Sequence, residues 1–247
     1  MITGILFDKD GTLFDFEASW TGWASGVLLD LADGDPEKAI HLGQWIGFDF
    51  AAGRFEPDSV AIAGTLDETT SALLQGLPHM THDALITVLR TSGATAQMVE
   101  AVPLAPYLAD LRTRGVRLGV ATNDSEVLAR SHLAAFDVDT SFDYIAGADS
   151  GFGAKPGPGM CLGFSDQFDL APETVLMVGD SRHDLMAAQA AGMIGVGVLT
   201  GMAGADDLSD LAQVVLPDIG HVPGWLDATY GPDTPGHRQN TTRSVAI

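Results

Sequence analysis

From about residue 104 onward the chain alternates short apolar runs with stretches of helical spacing. LAPYLADLRTRG carries apolar residues at helical intervals and ends on glycine, and the VRLGVAT that follows reads as a buried strand. The alternation then repeats. SEVLARSHLAAF predicts a helix, FDYIAG a strand, GPGMCLGFSDQF a helix, TVLMVGD a strand and SRHDLMAAQAAG a helix, before the short strands IGVGVL and VVLP. Strands that are apolar throughout, separated by helices, predict a mainly parallel α/β sheet covered on both faces. Ile2–Phe7 has the same character and predicts a further strand of that sheet, far in sequence from its partners.

Residues 16–91 have a different texture. SWTGWASGVLLDLA, PEKAIHLGQWIGFDFAA, ETTSALLQGL and THDALITVLRTSG all show helical spacing, with no convincing strand between them. The pattern predicts an all-helical insertion after the first strand, so the α/β core is discontinuous, formed by residues 1–15 and 92–226. Phe14–Ala18 and Ser92–Pro103 are the expected hinges between the two parts. Residues 227–247 are polar and turn-rich and are expected to form a tail.

Composition narrows the function classes. The 247 residues include 12 basic and 33 acidic ones, a formal charge of -21, which argues against a nucleic-acid or anionic-membrane partner. The uncharged stretch from Leu185 to Ala205 contains five glycines and changes character midway, so it reads as a helix followed by a strand and not as a membrane span. Asp8, Lys9 and Asp10 interrupt the N-terminal apolar run too early for a signal peptide. With a single cysteine, Cys161, no intramolecular disulfide can form, and a cytoplasmic location is expected. A monomer or homodimer suits such a chain.

Four polar clusters fall at the ends of predicted strands, where parallel α/β sheets bind ligands. They are DKDGT (8–12), TND (122–124), AKPGPG (154–159) and GDSRHD (179–184). Folding would gather them although the chain separates them. Asp8, Asp10, Asp180 and Asp184 then form a hard, oxygen-rich site suited to Mg2+. Lys155, one of three lysines in the chain, would offset carboxylate repulsion and hold an anionic substrate.

This constellation resembles the haloacid dehalogenase-like hydrolase superfamily, specifically its phosphatases with a helical cap of the C1 type. DKDGT matches the family's DxDGT motif, Thr122 its second motif, Lys155 its third and GDSRHD its fourth, GDxxxD. All four occur in the family's order, and the insertion lies where the C1 cap belongs. The resemblance implies a Rossmann-like α/β core and a Mg2+-dependent phosphomonoesterase acting on a small phosphorylated metabolite. It implies that Asp8 is the nucleophile and becomes an aspartyl-phosphate, and that Asp10 is the acid and then the base. Mg2+ would be held by the Asp8 carboxylate, the Asp10 backbone carbonyl and Asp180, with Asp184 as ligand or support. Lys155, Thr122 and the backbone amides near Asn123 and Gly11 would bind the phosphoryl oxygens. The FDKDGTL start and the cap type are shared with the family's phosphoglycolate phosphatases. Such a substrate carries its own carboxylate and needs a cap cation, for which Arg54 is the candidate among Lys38, Arg54 and Arg90.

Other readings stay open at this stage. Thr122 also suits a helix cap, and Asp184 a first helical turn. His183 reads as a solvated helix residue, and His79 with His82 as a loop without a third zinc ligand. Lys9 is expected to point away from the aspartates that flank it. Within the superfamily a sugar phosphomutase is the alternative; a phosphonate hydrolase would need Lys38 as its amine, and a dehalogenase has no use for Asp10. From another class, a non-catalytic binding protein on the same fold, or a receiver domain lacking a cap, would share part of the electrostatics.

Overall fold

A computed structural model describes residues 1–231. The chain opens with β1 (Gly4–Phe7) and leaves the core for α1 (Phe16–Leu31), α2 (Pro36–Trp45), β2 (Phe48–Asp49), β3 (Arg54–Phe55), α3 (Val60–Ala63), α4 (Leu66–Leu74) and α5 (His82–Gly93). It returns through α6 (Leu104–Thr113), β4 (Arg117–Ala121), α7 (Glu126–Ala134), β5 (Tyr144–Ala146), α8 (Gly159–Phe168) and β6 (Val175–Gly179). The remainder is α9 (Arg182–Ala191), β7 (Ile194–Val198), α10 (Ala205–Leu208), β8 (Val214–Leu216) and α11 (Val222–Tyr230).

Six strands form one parallel sheet in the order β5-β4-β1-β6-β7-β8, the Rossmann-like α/β arrangement expected from the apolar runs. All four residues of β1 are buried, since helices cover both of its faces. The order matters for the site because β1 lies between β4 and β6. Phe7 is level with Val120 on one side and Val178 on the other. Asp8 therefore emerges beside Ala121 and Gly179, with Thr122 and Asp180 one residue beyond.

The inserted helices are well marked in the sequence. Asp15, Asp35, Thr65 and Thr81 each accept a backbone N–H at a helix start, and Pro36 opens α2 where no donor is needed. One expectation fails here. The helical spacing read from Pro36 through Ala52 stops at Trp45, and Phe48–Asp49 pairs antiparallel with Arg54–Phe55 as a small ribbon. Gly47 and Gly53, both at positive φ, turn the chain into and through it. Phe48 and Phe55 pack edge to face at 4.8 Å, so the ribbon buries two rings that a helix would have spread apart.

Both crossings between insertion and core run side by side. Asp15 N donates to Val99 O at 2.9 Å, Ala101 N to Leu13 O at 2.9 Å, and Phe14 bridges Glu100. The expected tail also needs correction, because residues 227–230 continue α11, where Leu226 is buried and Arg114 grips Asp227 at 2.7 Å. Residues 232–247, the rest of that expected tail, lie outside the described residues. None of the described helices is long and apolar enough to cross a membrane.

Candidate active site

The four strand-end clusters converge. Lys155 Nζ donates to Asp8 Oδ1 at 2.6 Å and to the Ala121 carbonyl at 2.8 Å, and it lies 2.6 Å from Asp184 Oδ1. Asp8, Asp180 and Asp184 bring carboxylate oxygens within 4.8 Å of one another. All four residues are buried. Burial pushes the Asp8 carboxyl up to about 7, with Lys155 opposing and Asp184 reinforcing that rise. Asp180 is raised well above the usual carboxylate range by burial and by its neighbours Asp8 and Asp184.

Local structure explains how these groups are held. Asp184 is the third residue of α9 and accepts from Ser181 N at 3.0 Å and Ser181 Oγ at 2.7 Å, while Ser181 Oγ caps the helix in return. With Lys155 on its other oxygen, Asp184 has both oxygens engaged. Asp180 forms no ion pair among the described residues, and its Oδ1 accepts from Thr12 Oγ1 at 3.3 Å. Gly11, at φ 80°, and Gly201 both lie against the Asp180 carboxylate so closely that a Cβ at either would collide with it. The Thr200 hydroxyl donates to Gly11 O at 2.7 Å, and Phe16 N donates to Thr200 O at 3.1 Å, so the loop after β7 holds this arrangement from behind.

Thr122 continues the ladder by donating its N–H to Ala146 O, and its Oγ1 accepts from Asp124 N at 3.1 Å. Asn123 joins three segments. Its Oδ1 accepts from Lys155 N at 2.8 Å, and its Nδ2 donates to Lys155 O at 3.0 Å and to Ala63 O in the insertion at 2.8 Å.

Asp10 behaves differently from its neighbour. Its carboxylate accepts from Trp20 Nε1 at 2.8 Å and pairs with Lys9 Nζ at 2.7 Å. The expectation that Lys9 turns away from the aspartates is therefore wrong for Asp10. Strand alternation does send Lys9 to the face opposite Asp8, but the tight turn that gathers Leu13 N and Phe14 N on the Lys9 carbonyl brings Asp10 back to that face. Lys9 is wholly buried and also meets Asp124 Oδ2 at 3.2 Å and His132 Nδ1 at 3.0 Å. Since Lys9 can only donate, His132 Nδ1 accepts, and His132 Nε2–H donates to Gly93 O at 2.9 Å. Burial, with Lys9 adding to it, depresses the His132 pKa to about 4 and keeps the ring neutral. Burial opposes ionisation of Asp10, but Lys9, His132 and Trp20 together hold it below the usual carboxylate range.

A cavity over these groups is floored by Asp8, Asp10, Thr122, Asn123, Lys155 and Asp180, and roofed by aromatic and aliphatic residues of the insertion. Of the residues expected from the sequence at the substrate, Arg54 is not at the cavity. It is exposed on β3, and its neighbour Phe55 is the residue that turns in. Asp10's carboxylate is likewise outside the cluster that Asp8, Asp180 and Asp184 form. Trp20, whose pattern suggests only packing within the insertion, reaches Asp10 and the cavity, and Asp124, His132, Ser181, Thr200 and Gly201 are site residues that no sequence pattern names individually. Only Asp124 and Ser181 had a signal, lying within TND and GDSRHD.

The comparisons with known proteins agree with this geometry. Residues 2–192 match the family model described as a haloacid dehalogenase-like hydrolase. The chain is 30% identical over 236 residues, covering 88% of each protein, to a phosphoglycolate phosphatase of Escherichia coli (strain K12). Its fold is similar to that of a predicted phosphoglycolate phosphatase from Haemophilus somnus 129pt, with a TM-score of 0.69, 22% identity, and 91% and 97% of the two chains covered. It is also similar to a β-phosphoglucomutase from Clostridium difficile, with a TM-score of 0.61, 15% identity, and 91% and 96% covered. The chain belongs to the haloacid dehalogenase-like hydrolase family. Within it, the protein is a phosphoric monoester hydrolase that acts on small phosphorylated substrates.

Proposed function

We propose that the protein is a Mg2+-dependent phosphomonoesterase that works through an aspartyl-phosphate on Asp8. The observation that carries this reading is the excess of buried carboxylate. Among the described residues, Asp8, Asp180 and Asp184 share a single cation, Lys155, which pairs with Asp8 and Asp184 and leaves Asp180 without an ion pair. Such a set of hard oxygen donors fits a divalent cation, with Asp8 and Asp180 as its side-chain ligands and Asp184 holding Lys155 and the start of α9 in place. When bound, the ion would supply positive charge to the phosphoryl oxygens and to the carboxylates around them.

The chain's own residues account for the rest. An Asp8 oxygen attacks phosphorus, the bond from phosphorus to the alcohol oxygen breaks, and Asp10 gives the departing oxygen a proton. Water then attacks the same phosphorus and passes a proton to Asp10, restoring Asp8 and releasing phosphate. Lys155, Thr122 and backbone amides of the Gly11 and Asn123 turns stabilise the charge spread over the phosphoryl oxygens. The Lys9 pairing favours the carboxylate form of Asp10, the base of the second step, so Asp10 must first take up a proton from solvent or from a substrate phosphate monoanion to act as the acid of the first. Residues 16–91 act as a cap that closes over these groups and excludes water.

Phosphoglycolate is the substrate suggested by the curated relative, at 30% identity. Purified protein assayed on several phosphate monoesters tests the reading. Release of phosphate that needs Mg2+, stops with a chelator and vanishes in Asp8→Asn is expected; Mg2+-independent release, or an active Asp8→Asn, would overturn it.

A further inference from the structure

The two halves of the cavity differ in charge. Both buried lysines near it are already committed, Lys155 to Asp8 and Asp184 and Lys9 to Asp10 and Asp124. Among the described residues the roof offers no cation. Phe16, Trp20, Trp23, Phe55, Ile62 and Leu66 form most of it, and both indole N–H groups point elsewhere, Trp20 to Asp10 and Trp23 to Ser92 Oγ. The insertion's three cations all lie outside the cavity. Lys38 is exposed and pairs with Asp35 at 3.7 Å, and Arg54 and Arg90 are exposed on β3 and α5. Polar groups on the roof are hydroxyls: Thr65, engaged with Glu68, and Thr69. One further titratable side chain, His183 in the first turn of α9, reaches the cavity from the core side.

From this we infer that the leaving group of the substrate is an uncharged alcohol with an apolar or aromatic body, and not a carboxylate-bearing one such as glycolate. The inference rests on the phosphomonoesterase reading of the same site. A phosphate group, held at the floor, places the alcohol part against the aromatic roof, where stacking and apolar burial favour it. A carboxylate there would lose its water without gaining a counter-ion, next to a floor already rich in aspartate. Thr69 can accept or donate one hydrogen bond to a hydroxyl or ether oxygen of such an alcohol, a role that needs no charge.

Three primary alkyl phosphates test the assignment: benzyl phosphate, 2-phosphoglycolate and the neutral methyl ester of 2-phosphoglycolate. With Mg2+ present, kcat/KM is expected to be higher for benzyl phosphate and the methyl ester than for phosphoglycolate, by roughly tenfold or more, the scale on which a pocket rejects an ill-matched group. Ile62→Arg, which adds a cation to the roof, is expected to narrow that gap from the phosphoglycolate side. Equal or better turnover of phosphoglycolate in the native protein would overturn the inference while leaving the phosphatase reading intact. If that preference then disappeared in His183→Ala, His183 would be the carboxylate's partner. Absence of turnover with all three esters and with p-nitrophenyl phosphate would remove the phosphatase reading itself, and the inference with it.

Discussion

Lys155 and Lys9 are both buried and both lie between two aspartates, yet they do opposite things. Around Lys155 there are three carboxylates, and negative charge is in excess: Asp8 is pushed up to about 7, and Asp180 rises too. Around Lys9 there are two, together with the Trp20 N–H and a neutral His132: Asp10 is held down, while burial and the Asp10 charge raise Asp124 against the pull of Lys9. The first cluster is unfinished without more positive charge. The second is close to complete in itself. A single strand end supports both, because successive residues of β1 face opposite sides of the sheet and the turn at Gly11 returns Asp10 to the Lys9 side.

Several substitutions break or sharpen that contrast. Asp8→Asn should abolish turnover, by about 10^4-fold or more, the scale of losing an activated nucleophile, while a thermal melt stays near native. Lys155→Met should lower kcat steeply, on the order of 10^2–10^3-fold, since it removes a donor from the charge-stabilising floor. Added Mg2+ should stabilise this variant more than the native protein, because the carboxylates it leaves behind pair with no other cation among the described residues. Lys9→Met should act first on stability, by roughly 3–5 kcal/mol in chemical denaturation, as expected when one member of a buried ion pair is removed. Turnover per folded molecule should suffer less there than in Lys155→Met, and the reverse ranking would merge the two clusters into one.

Smaller effects follow. Trp20→Phe deletes one hydrogen bond to the Asp10 carboxylate, a loss of roughly 1.5–3 kcal/mol, and should appear in kcat more than in KM. His132 sharpens the comparison through pH. Its folded pKa of about 4 lies below the ordinary 6.5, so the unfolded chain binds the extra proton between those values. Its contribution to stability is full above pH 6.5 and falls as pH drops toward 4, by roughly 3 kcal/mol at most. Denaturation curves for the native protein and His132→Gln should therefore differ in slope across that window and run parallel above it. Arg54→Ala, at an exposed position away from the cavity, should change kcat/KM by less than about twofold, as most surface substitutions do.

Much of the floor was legible in the sequence because strand ends announce themselves. Apolar runs stop at Asp8, Thr122 and Asp180, and the order of a parallel sheet then decides which of them meet. Lys9 shows where such reasoning stops. Alternation along a strand places its Cβ correctly, but a four-carbon side chain and a bend two residues later decide what its ammonium touches. Trp20 and His132 reach Asp10 and Lys9 from separate helices, α1 and α7, a contact that no local pattern encodes. The spacing puts Phe48 in a helix and Phe55 in the connection after it, because two-residue strands are too short to show a period. Arg54 was assigned from charge alone, whereas its orientation follows from the ribbon, which turns Phe55 inward and leaves Arg54 to solvent.

The adjacent crossings at Leu13–Asp15 and Val99–Ala101 join the insertion to the core by backbone hydrogen bonds, and Trp20 on Asp10 and His132 on Gly93 add side-chain ties beside them. The amide of Asn123 donates to the Ala63 carbonyl and so latches the insertion to the core at another place. Because the same amide also fastens the Lys155 backbone, each release of the latch is felt directly at the residue that grips the nucleophile.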